Sequence, residues 1–131
     1  MNSSIAEAAG LTASILVAAL WIFQLLLAAG VPLGRAAFGG ENRVLSKKLR
    51  IVSAASAVVF VAAFYVILAR SGFFGKASKA STSVHACIWV LVAIFGLSAC
   101  ANAASRSRTE RRVMAPVALL LAVCSLAVAL S

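Results

Sequence analysis

Acidic side chains are almost missing from this chain: among 131 residues there are three glutamates, Glu7, Glu41 and Glu110, and no aspartate. A catalytic triad needs a carboxylate to orient its histidine, and none stands inside an apolar segment. Histidine is scarcer still. His85 is the only one, and a metal site normally takes three or four ligands. As an axial haem ligand it would need a second from a symmetry mate. Cys87 follows two residues later, but side chains two apart on a helix point in different directions, which disfavours a Cys–His pair. Cys87, Cys100 and Cys124 are odd in number, show no C-x-x-C spacing and lie in apolar stretches. Thiols so placed pack as small hydrophobes, so neither a disulfide nor a redox centre nor a bound cofactor is expected. An enzyme is disfavoured on these grounds.

Hydrophobic residues make up 63% of the chain and charged ones 11%, far from the soluble average of about half and a quarter. The apolar residues are bunched in runs of membrane-spanning length, where a soluble helix would show a polar face at every turn. The sequence therefore predicts a single all-α membrane domain: four transmembrane helices in a compact bundle, over about 11–33, 51–69, 84–104 and 113–130. A secretory signal peptide would begin with a positive segment and a shorter apolar core. The start of this chain has neither, so the first span is expected to stay in the mature protein.

The net charge of +9 is placed for topology rather than for nucleic acid. Arg35, Arg43, Lys47, Lys48 and Arg50 follow the first span, and Arg106, Arg108, Arg111 and Arg112 follow the third. Only Arg70, Lys76 and Lys79 follow the second. Nine against three puts the first two groups in the cytoplasm, with both ends of the chain outside. The nine are also candidate contacts for anionic lipid headgroups or for a partner's acidic loop. Small four-helix multidrug exporters carry an acidic residue in their first helix to couple protons to drug, and nothing fills that place here.

Inside the spans, Gln24 and Asn102 are the polar candidates, each toward the cytoplasmic half of its helix. They could hydrogen-bond across the bundle or line a polar cavity. Gly30 and Gly34, four apart, read either as a close-packing pair or as the end of the first helix, since Pro32 between them removes an amide donor. Ser53 to Ala57, with Ser53 and Ala57 on one face, suit tight helix contact. The run from Ser98 to Ser105 is small and polar enough to be placed against other helices. Asn42 to Arg50 reads as a short interfacial helix with Val44, Leu45 and Leu49 toward lipid. The two halves of the chain share a helix, a basic turn and a returning helix, which suggests a parallel duplication.

The segments Gly30-Val31-Pro32-Leu33-Gly34-Arg35-Ala36-Ala37-Phe38-Gly39-Gly40 and Asn102-Ala103-Ala104-Ser105-Arg106-Ser107-Arg108-Thr109-Glu110-Arg111 resemble turns in a group of small uncharacterised bacterial four-helix membrane proteins. Phe38 stands where a tryptophan would be expected. The resemblance implies a bacterial inner-membrane protein and supplies no activity. Taken with the residues, the expected function is helix association, as a homo-oligomer or as an accessory subunit of a larger membrane complex, without enzymatic activity. A small-solute channel or transporter, with a path between monomers or around Gln24 and Asn102, is the competing class. A haem or redox protein built on His85 is the third.

Overall fold

In a computed structural model, which describes residues 2–131, the fold is all-helical, with 82% of residues in helix and no strand among the described residues. Helix α1 (Ser3–Ala28) begins eight residues before its expected span, because Asn2 accepts from the Ser4 N–H and the alanine-rich segment after it propagates. It stops at Ala28 rather than Leu33. Gly30 has a φ of +90°, and Pro32 cannot continue the ladder. Gly30 and Gly34 therefore share no helix face: Gly30 belongs to the end of α1, and Gly34, beyond it, packs closely on the backbone of Asn42 and Arg43 rather than on another helix. Gly34 opens a short 3-10 turn (Gly34–Ala36).

Helix α2 (Lys47–Ser71) starts at Ser46, whose hydroxyl accepts from the Leu49 N–H. No separate interfacial helix precedes it. Leu45 is buried rather than lipid-facing, Leu49 is half-buried, and Val44 alone of the three is exposed. The short helix α3 (Lys76–Ala80) leads into α4 (Thr82–Ala103). The last span is a π turn (Glu110–Met114) running into α5 (Ala115–Leu130). Pro116 has no N–H for the Arg112 carbonyl, and the Ala115 N–H reaches back five residues to the Glu110 carbonyl. The widened turn is a local answer to the proline.

Among the described residues, four helices are long and apolar enough to cross a membrane, as expected of a multi-pass membrane protein. Ile15, Ile22, Ile51, Val58, Val90, Leu97, Leu119 and Val123 stand exposed on the outside, a surface no water-soluble bundle of this size would present. Packing is most extensive within two hairpins, α1 with α2 and α4 with α5. The hairpins join through α1–α5, and more loosely through α2–α4. Val17, Ile67, Ile88, Phe95, Leu121 and Val128 form the core.

The two basic connections lie at one end of the bundle. At the other, Gly10 lets α1 approach α2 so closely that a Cβ on it would collide with the Ser71 hydroxyl. Arg70 ties that end together, donating to the Lys79 carbonyl at 2.7 Å, to the Ser131 carbonyl at 2.7 Å and to the Ala129 carbonyl at 3.3 Å. These are carbonyls left open at a helix end, where a cation is favoured. Arg70→Leu is expected to lower stability by about 2 kcal/mol, read as an earlier midpoint when the protein is titrated with sodium dodecyl sulfate in mixed micelles.

Candidate functional site

The two connections at the basic end are stitched together through Glu110. Its sequence context, Ser107-Arg108-Thr109-Glu110, is a capping-box pattern. The Ser107 hydroxyl accepts from the Glu110 N–H at 3.4 Å, so Ser107 starts the last span. In an ordinary box the glutamate would turn back to the capping residue's own N–H. Here its carboxylate goes elsewhere. Oε1 accepts from the Gly39 N–H in the other connection at 3.3 Å, and Oε2 accepts from the Ser105 hydroxyl. The Ser107 hydroxyl in turn donates to the Arg35 carbonyl. Gly40 makes this approach possible, since a Cβ on it would lie 2.7 Å from the Ser107 Cβ. Glu110 is left 6% exposed.

The cations around it point away. Arg35 donates to the Gly40 carbonyl at 3.3 Å, Arg111 to the Ser105 carbonyl at 2.7 Å, and Arg50 through Nε to the Ala28 carbonyl at 2.9 Å. Arg50 thereby closes the end of α1 from the start of α2. Arg43, Lys47, Lys48, Arg106, Arg108 and Arg112 are exposed. The buried carboxylate is held by an amide and a hydroxyl, both neutral.

Beneath Glu110 lies a cavity of about 290 Å³, whose polar walls are Gln24, Ser98, Asn102 and Glu110 and whose apolar walls include Phe23, Phe38 and Phe60. Gln24 and Asn102 thus face one space without a hydrogen bond between them. The Gln24 Oε1 is buried with no partner among the described residues. Toward the basic end the cavity shares Phe38, Asn102 and Glu110 with a second hollow of about 310 Å³ that reaches Glu41 and Arg106. Inward it shares Gln24, Phe60 and Ser98 with a third of about 470 Å³. That third hollow is walled by Val52, Val59 and Ile94, which are exposed, so it opens sideways onto the apolar surface through the loose seam between α2 and α4.

The other residues singled out from the sequence lie apart. Ser53 and Ala57 are buried in α2. Half of the run from Ser98 to Ser105, at the end of α4 and just past it, turns outward instead of packing against other helices: Cys100, Ala101, Ala103 and Ala104 are exposed, while Ser98, Ala99, Asn102 and Ser105 are half-buried. The reason is geometric, for α4 packs mainly on α5 and the π turn and only loosely on α2 and α3. His85 is exposed and sits edge-on to Trp89 at 6.5 Å. Among the described residues no three His, Cys, Asp or Glu side chains come together as a metal site would require. Glu110 was missed as a site residue because its position at a span margin reads as topology; the Ser-x-x-Glu spacing was the signal available.

No protein-family model, curated protein or solved structure matches the chain.

Proposed function

We propose that this is a small non-enzymatic protein of a bacterial inner membrane, with both ends of the chain outside. It works by helix association, as a homo-oligomer or as an accessory subunit of a larger membrane complex. The orientation rests on the nine-to-three distribution of Lys and Arg. A reporter fused to Ser131 that is active only outside the cytoplasm should be active, and an inactive one would reverse the topology.

The observation that carries association is the outward half of α4. Cys100, Ala101 and Ala103 are exposed there, as is Ala104 just past its end, and a Cβ on nearby Gly96 would meet nothing within 4 Å. Small side chains on an outer helix face let another backbone approach, which is how helices associate in lipid. Native mass spectrometry of the protein, mildly extracted from its own membranes, should return a defined oligomer or a stoichiometric complex. Oxidative cross-linking in the membrane should trap that contact at Cys100 and be lost in Cys100→Ala. A protein that stays monomeric and resists cross-linking would overturn the reading.

A solute path is the second reading, and the polar cavity between Gln24, Asn102 and Glu110 favours it. It expects Asn102→Leu to abolish flux with assembly intact, whereas association expects assembly to depend on α4 and not on Asn102.

A further inference from the structure

We propose that the adjoining cavities at the basic end, which share lining residues, bind a primary ammonium carried on an apolar chain, with Glu110 as its counter-ion. The assignment rests on the solute-path reading only in using the same cavity. Binding, unlike flux, needs no opening on the far side, so a protein that binds without passing solute removes the path and keeps the site.

The walls select the ligand. Glu110 is 6% exposed and no arginine or lysine donates to it; its two oxygens take one hydrogen bond each, from the Gly39 N–H and the Ser105 hydroxyl. A carboxylate has roughly four acceptor positions, so two remain. The Gln24 Oε1 on the same cavity wall is a buried acceptor with no partner, and Asn102 adds an amide. A buried carboxylate without a cation is costly, and an ammonium brings three N–H donors and one positive charge. Phe23, Phe38 and Phe60 line the same space, and aromatic faces favour a cation nearby.

The route selects the rest of the molecule. The basic end presents eight exposed Lys and Arg to water, which repels a simple hydrophilic cation. The inner hollow instead opens sideways between α2 and α4, past Val52, Ala55, Val59 and Ile94, onto the lipid-facing surface. An amphiphile enters that way, head first toward Glu110, and leaves its apolar part in the hollow of about 470 Å³. Two sources carry this chemistry: a free alkylamine, and the headgroup of an ethanolamine phospholipid. For the second, Arg106 on the outer hollow beside Glu110 is placed to meet the phosphate.

The test uses the full chain in phosphatidylcholine nanodiscs, with radiolabelled octylammonium in equilibrium dialysis and empty discs subtracted. One saturable site per chain is expected, with octyl sulfate failing to compete. Glu110→Gln keeps an acceptor for the Gly39 N–H and should weaken binding at least tenfold. Ala55→Trp leaves the carboxylate in place, blocks the side opening from an exposed position, and should also weaken binding at least tenfold. Adding phosphatidylethanolamine to the discs identifies the source: competition points to the lipid headgroup, and its absence to a free amine. No saturable site, equal affinity in the wild type and Glu110→Gln, or a preference for octyl sulfate overturns the assignment.

Discussion

Glu110→Leu is expected to cost about 3 kcal/mol, because it removes two part-buried hydrogen bonds to a charged group at once. The Gly39 N–H and the Ser105 hydroxyl have the two carboxylate oxygens as their acceptors. Leucine fills the volume and offers neither an acceptor. The loss falls on the junction between the two basic connections, so the damage should be local before it is global. Cleavage by trypsin at Arg35, Arg43 and Arg106, all exposed, is expected to quicken in Glu110→Leu under conditions where the four long helices remain intact. Glu110→Gln should recover most of the protection, since its amide oxygen accepts from one donor and its amide nitrogen can meet the serine oxygen. Equal protection in all three proteins would mean that the stitch holds nothing.

Gly34→Ala should destabilise by about 2 to 3 kcal/mol, the upper part of the range for forcing an extra carbon into a closed site. The added Cβ would stand 1.9 Å from the Asn42 carbonyl oxygen and 2.8 Å from that of Arg43. Both obstacles are backbone, and the Gly34 N–H is already bonded to the Arg43 carbonyl at 2.8 Å. The connection between α1 and α2 would have to open, exposing Leu45, which is buried. Gly39→Ala is the control with a different cause. Nothing lies within 4 Å of its Cβ position, but φ is +80°, a left-handed value that costs a residue with a Cβ about 1 kcal/mol. The order of the two midpoints in a dodecyl-sulfate titration decides between crowding and backbone strain. If Gly39→Ala proves the more harmful, the pinch at Gly34 is not what holds the connection.

How far the sequence carries depends on the kind of force involved. Four apolar runs separated by charged turns determine four membrane-crossing helices, because burial of apolar side chains in lipid and internal satisfaction of every backbone group act on each segment separately. For the same reason the placement of both basic connections at one end follows from counting helices. A helix end was legible where a local group decides it: Pro32, with Gly30, ends α1. The expectation of a separate interfacial helix failed because the pattern Val44, Leu45, Leu49 cannot tell a lipid-facing leucine from one tucked under a returning loop.

Tertiary structure alone decided the rest. That Glu110 is buried, that its carboxylate bonds to Gly39 rather than to its own helix start, and that Gln24 and Asn102 face one cavity are contacts between residues far apart in the chain. They depend on which helices are neighbours and how they are rotated. The apolar runs, rich in Ala, Leu and Val on every side, carry almost no amphipathic period to announce that rotation. Small residues at close approaches, such as Gly10 against Ser71 between two helices and Gly40 against Ser107 between the two connections, act only once the helices meet.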